Sequence, residues 1–323
     1  MRALDRIPAP LLAVAAVFSV QFGSATARTF FGETGPVGAA ALRLVFASVV
    51  MLLVVRPRVR AWNRRTWLTV VALGIALGGM NTLIYLAIQH VPIGVAVTVE
   101  FLGPLGVALA QTRRAVDAAW ALLALAGVVL LGLEALESRG PGALDLAGLG
   151  LAALAAVFWA GYIVTSASLG SRATGLDPLA VSMLVATLVV LPFGAAPAGS
   201  AVAADPRLLL VFLGVGLATS VIPYSLEFAA LRRIPTRVFG VLSSLGPAIA
   251  ALAGLVVLHQ ALGWRQWLAL ALVTAASVGV TVLARRPGGP SAPGATPGRD
   301  ARARRLGATC ESAGCEARRT GAL

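Results

Sequence analysis

Residues 94–110 read Gly-Val-Ala-Val-Thr-Val-Glu-Phe-Leu-Gly-Pro-Leu-Gly-Val-Ala-Leu-Ala, an apolar run whose one charge is Glu100. The run is close to the ~20 residues that cross a hydrocarbon core. A carboxylate at its centre faces an unfavourable solvent, and the Gly103-Pro104 pair beside it is a helix breaker. Pro104 has no N–H to give the Glu100 carbonyl four residues earlier, so that carbonyl is open to other partners.

Nine further apolar segments surround this one. The ten lie near 9–28, 36–55, 66–88, 93–111, 117–136, 145–167, 178–197, 207–229, 236–258 and 265–284. Of the 323 residues, 58% are hydrophobic and 12% charged, against about 25% charged in a soluble domain. The mean hydropathy is +0.88. These numbers exclude a soluble globular chain and predict an all-α membrane protein with ten transmembrane helices. The first 25 residues imitate a signal peptide, with Arg2 and Arg6 ahead of an apolar run. With nine segments following, the run reads as a retained first helix. From 286 onward the chain is rich in Pro, Gly, Ser and Arg, which predicts a disordered tail over 287–323.

All 26 basic residues are arginine, and the formal net charge is +13. They sit in connections and in the tail, so they report topology rather than nucleic-acid binding. With the N-terminus in the cytoplasm, twenty-one arginines fall inside and four outside: Arg28, Arg139, Arg207 and Arg265. The positive-inside rule therefore places both termini in the cytoplasm. The remaining arginine, Arg43, lies within a membrane segment. Cys310 and Cys315 are confined to the tail and have no zinc-site spacing.

The two halves echo one another. Residues 91–108, VPIGVAVTVEFLGPLGVA, resemble 234–251, IPTRVFGVLSSLGPAIAA. A shift of 143 lays Pro92 on Pro235, Gly103 on Gly246 and Pro104 on Pro247. A shift of 140 lays AAVFSVQF (15–22) on AAVFWAGY (155–162). Five helices per half means that the second copy is inserted upside down, giving two inverted five-helix repeats, 9–136 and 145–284. Inverted repeats with interrupted helices are a transporter arrangement, with the substrate site between the repeats near the midplane.

Polar residues at depth supply the candidate site. Arg43 lies seven residues past Pro36 and Glu100 seven past Ile93, each about 10 Å into the bilayer from the outer side. Either charge would cost about 2.5–3.5 kcal/mol or more facing lipid, so both face the bundle interior, a wet cavity or each other. Glu100 is suited to hold a cationic group or to carry a proton. Gln21, Asn81 and Tyr85 fall in the same outer half. Tyr162, Tyr224, Ser243, Ser244 and Glu227 fall in the inner half, with Glu227 in reach of Arg232 or Arg233. Tyr224 follows Pro223, which removes a backbone hydrogen bond. The repeat lays Glu100 on Ser243 and Arg43 near Val185, so the charges are not duplicated. Gly103-Pro104 and Gly246-Pro247 are candidate hinges or kinks.

AAVFSVQFG and AAVFWAGYI, the Pro36-to-Arg43 spacing and the two Gly-Pro repeat ends together resemble the EamA branch of the drug/metabolite transporter superfamily over roughly residues 8–284. Within that branch GVAVTVEFLGPLGVAL is similar to the fourth helix of bacterial inner-membrane exporters of threonine and homoserine. The resemblance implies secondary active export of small amino acids from the bacterial cytoplasm, driven by protons. Arg43 and Glu100 would suit a zwitterion, the guanidinium taking the carboxylate and the glutamate the ammonium. Efflux of drugs or other metabolites by the same fold is the alternative. The partners expected are a small-molecule substrate, protons and the bilayer, with no nucleic acid. No cofactor or metal is expected, and the oligomeric state is not legible. An enzyme is disfavoured: His90 and His259 stand at helix ends, no metal or nucleophile constellation appears, and no nucleotide-binding loop is present.

Overall fold

The computed structural model describes residues 7–110, 115–137, 144–169, 176–231 and 242–283. All belong to the first of two compact units, Met1–Ala284; the second, Arg285–Leu323, lies outside the described residues. Outside them too fall the expected tail with Cys310 and Cys315, Pro235, and Arg2, Arg6, Arg113, Arg114, Arg139, Arg172, Arg232, Arg233 and Arg237.

The described residues are helices joined by short connections: α1 (Ala9–Thr29), α2 (Phe31–Val55), α3 (Arg64–His90), α4 (Ile93–Glu100), α5 (Leu102–Ala110), α6 (Ala115–Glu137), α7 (Leu146–Leu169), α8 (Asp177–Ala204), α9 (Leu208–Gly216), a π turn (Leu217–Val221), α10 (Ile222–Leu231), α11 (Gly246–Leu258) and α12 (Trp264–Leu283). Seven spans are long and apolar enough to cross a membrane, the last running from Leu208 through the π turn to Glu227; Ile93–Val107 and Gly246–Leu258 are shorter apolar helices. The protein is an all-α, multi-span membrane protein of about ten helices.

Local sequence explains the boundaries. Asn63 opens α3, its Oδ1 accepting from the Thr66 N–H at 2.9 Å. Arg56 closes α2 in the left-handed conformation at φ 51°. A short helical turn precedes Gly35, whose non-helical backbone at φ 63° separates it from the helix that runs, as expected, from Pro36. Helix α8 passes through Pro192 and Pro197 and ends at Ala204, beyond the expected 197.

In lipid there is little hydrophobic drive between helices, so small residues set the approach. Helix α2 packs on α8, α3 on α7 and α8, α6 on α12, α4 on α11, and α1 on α10 and α11. Along the α2–α8 seam, a Cβ added at Gly38 would lie 3.2 Å from the Ala198 nitrogen, and one at Gly194 2.7 Å from the Val37 oxygen. One at Gly94 would lie 2.9 Å from Ala251, where α4 meets α11. Few hydrogen bonds cross these seams. The Thr187 hydroxyl reaches the Leu44 carbonyl at 3.0 Å and the Ser48 hydroxyl at 3.2 Å, and Ser182 donates to the Val70 carbonyl at 2.9 Å. Large apolar side chains such as Leu53, Phe193 and Leu210 point outward. Helix ends are tied by Arg28 donating to the Ile88 carbonyl at 2.7 Å, by His90 with Asp145 at 2.8 Å, and by Arg265 with Glu137.

Candidate functional site

Helix α2 buries Arg43, which is 5% exposed. Its guanidinium lies over the Tyr85 ring of α3, 5.3 Å from the centroid, and its Nη2 donates to the Thr219 carbonyl at 3.1 Å. Its Nε is buried without a partner. Tyr85 is fully buried, its ring 5.4 Å from that of Phe31 and its hydroxyl likewise unpartnered. Glu100 is the last residue of α4 and is 8% exposed. Arg43 is the charge that acts on it, yet the two form no ion pair within 4.0 Å. The ion pairs among the described residues are those at the helix ends. The site therefore holds two buried ionisable side chains of opposite kind, with no ion pair between them.

Glu100 owes its position to a break. Helix α4 stops at Phe101 and α5 resumes at Leu102, one residue ahead of Gly103-Pro104. A Cβ at Gly103 would collide with the Ala156 carbonyl oxygen of α7. Opposite, Ser244 and Leu245 form a turn and α11 opens at Gly246 with Pro247 in its first turn. A Cβ at Gly246 would lie 2.6 Å from the Phe101 ring, which stacks edge-on against Trp159 with centroids 5.0 Å apart. The two Gly-Pro sites thus flank one aromatic cluster.

The other predicted residues divide. Asn81 is buried one turn before Tyr85, its Nδ2 donating to the Leu77 carbonyl at 2.8 Å. Tyr162 on α7 and Tyr224 and Glu227 on α10 are half-buried. Glu227 forms no ion pair with any described residue; Arg232 and Arg233 lie outside them. Gln21 is buried on α1 and Ser243 is half-buried, and neither hydrogen-bonds to Arg43 or Glu100. Ser244 meets Ser277 of α12 at 2.9 Å, a contact between helices. A cavity of about 420 Å³ at the C-terminal end of α8, lined by Glu33, Ser200, Ala201, Ala204 and Asp205, contains none of the predicted residues.

Sequence reasoning missed the π turn. Ile222 donates its N–H to the Leu217 carbonyl, five residues back, and Pro223 has none to donate. The Ala218 and Thr219 carbonyls take donors from other helices, Ser19 at 2.5 Å and Arg43 at 3.1 Å. Pro223 was the available signal. Ser19, which stands where the second half has Trp159, was the partner to look for.

The EamA-like transporter family matches residues 146–282. The threonine/homoserine exporter RhtA of Salmonella typhimurium strain SL1344 is 40% identical over 277 residues, covering 85% of this chain and 92% of its own. That of Escherichia coli strain K12 is 39% identical over 281 residues, covering 87% and 93%. A solved crystal structure at 21% identity shares the fold, with a TM-score of 0.56 over 87% of this chain and 100% of its own. Homology of this depth over nearly the whole membrane region makes the chain a member of the EamA-like transporter family, in the drug/metabolite transporter superfamily.

Proposed function

We propose that this chain exports small amino acids of the threonine and homoserine kind across the bacterial inner membrane, coupled to protons. The observation that carries the reading is the pair of buried ionisable side chains, Arg43 and Glu100, with no ion pair between them. A zwitterion supplies what each lacks: its carboxylate meets the guanidinium and its ammonium meets the glutamate. The names of the relatives favour the same substrate class. After release Glu100 takes a proton, which replaces the ammonium while the empty site returns. Asn81, Tyr85, Gln21, Tyr162, Tyr224, Ser243 and Ser244 belong in this reading to the walls of the path.

Movement comes from two inverted repeats, 9–136 and 145–284, rocking about the central site. Helix pairing supports the duplication. Exchanging the halves carries the α3–α7 pair onto α10–α1, α2–α9 onto α8–α3, and α4–α7 onto α11–α1. Both termini are cytoplasmic in this reading, with the tail of 287–323 beside them.

The test is efflux of labelled threonine or homoserine from liposomes holding the purified protein, with and without a pH gradient, beside Glu100→Gln. Saturable flux that the gradient accelerates, lost in the variant, is expected. Gradient-independent flux would reject proton coupling. Efflux of cationic dyes with no amino acid flux would reject the substrate class.

A further inference from the structure

We propose that the π turn Leu217–Val221, with Pro223 behind it, is the positioning device for Arg43: it presents the Thr219 carbonyl that holds the guanidinium with its Nε edge toward the substrate carboxylate. The proposal rests on the reading of Arg43 as the carboxylate binder.

Hydrogen-bond accounting carries the argument. In an unbroken α-helix the Ala218 carbonyl would accept from Ile222 and the Thr219 carbonyl from Pro223. Ile222 instead reaches back to Leu217, and Pro223 has no N–H. Two adjacent carbonyls in the bundle interior thus lose the donor four residues on that an α-helix would give them, and other partners can take its place. Helix α1 answers one through Ser19, and α2 answers the other through Arg43. The Thr219 hydroxyl donates to the Val215 carbonyl at 2.6 Å, so it does not compete with Arg43.

Glycines bring the three helices close enough. A Cβ at Gly216 would stand 3.0 Å from the Arg43 carbonyl oxygen and 3.2 Å from the Ala47 nitrogen, and one at Gly23 would stand 2.5 Å from the Thr219 methyl. The guanidinium is then a plate held at two places. Tyr85 sets its plane and the Thr219 carbonyl sets its rotation within that plane. The buried Nε is left over, and a guanidinium edge binds a carboxylate with two parallel hydrogen bonds. Single π turns of this kind recur at functional sites.

Pro223→Ala returns an N–H to the Thr219 carbonyl. In liposomes it is expected to raise the KM for threonine roughly tenfold, the effect of mis-orienting one charged hydrogen-bonding group, with little change in maximal rate. In an Arg43→Lys background, which lacks the flat fork, the same substitution should add almost nothing. A KM unchanged by Pro223→Ala, or raised by the same factor in both backgrounds, overturns the proposal. A second variant guards against misfolding. Ser19→Ala lets the Ile222 N–H return to the Ala218 carbonyl, and it should raise the KM severalfold; an unchanged KM overturns. A readout without substrate separates this proposal from the function it rests on. Modification of Arg43 by phenylglyoxal, followed by mass spectrometry, should be several-fold faster in Pro223→Ala than in the wild type, and equal rates overturn the positioning role even if no amino acid is transported.

Discussion

At the scale of single residues, Glu100 and Tyr85 separate function from stability. Among the described residues Glu100 has neither an ion pair nor a side-chain hydrogen bond to lose, and a buried carboxyl group without partners is a burden to the fold. Glu100→Gln should leave the melting temperature unchanged or raise it, while threonine efflux falls at least about tenfold, as expected for a residue kept for activity at the expense of stability. A Tm drop with unchanged efflux would refute that division. Tyr85→Phe keeps the ring under Arg43 and removes a hydroxyl that has no partner; its stability should stay within about 1 kcal/mol. Tyr85→Leu removes the cation–π contact as well and should lose roughly 0.5–2 kcal/mol more, read from thermal melts in detergent. The sequence named Arg43, Glu100 and Tyr85 because charge and aromatic hydroxyls at depth are costly. It left open whether the two charges pair, since that depends on a separation between helices far apart in the chain.

Elements were legible where apolar runs and prolines marked them. Most of the expected segments coincide with the described helices within a few residues; α8 runs on beyond Pro197, and of the segment expected over 236–258 only residues from 242 are described, with α11 opening at Gly246. Gly103-Pro104 announced the interruption that leaves Glu100 at the end of α4. What a glycine there must avoid was not legible, because the Ala156 carbonyl comes from another helix. Gly103→Ala presses against that fixed backbone and should cost about 1–3 kcal/mol. Gly246→Ala meets a side chain, the Phe101 ring, and should cost less. Phe101→Leu should recover most of the loss at Gly246 and none at Gly103, a difference that thermal melts of the double variants would measure. The π turn was half legible: Pro223 flagged missing hydrogen bonds, but no sequence pattern says which distant side chains replace them.

For the whole molecule, the arginine distribution makes a topological prediction. In a chain with Cys310 and Cys315 replaced by serine, single cysteines introduced at Arg60, between α2 and α3, and at Ala261, between α11 and α12, should behave oppositely in intact cells. A membrane-impermeant maleimide should label the second and leave the first until the cells are opened; the reverse pattern would invert the assigned orientation. Such labelling does not reach the relation between the halves, which duplication in the sequence suggested and helix pairing supports. The α2–α8 seam has one more consequence. Across it Gly38 faces Ala198 and Pro197, Gly194 faces Ala41 and Val37, and the Thr187 hydroxyl reaches Leu44 and Ser48. At Gly38 and Gly194 the seam has little relief, and the two backbones approach without a long side chain between them. Resistance to movement along the seam at those points comes from backbone contact at the glycines and from the Thr187 hydroxyl, two features set by different residues.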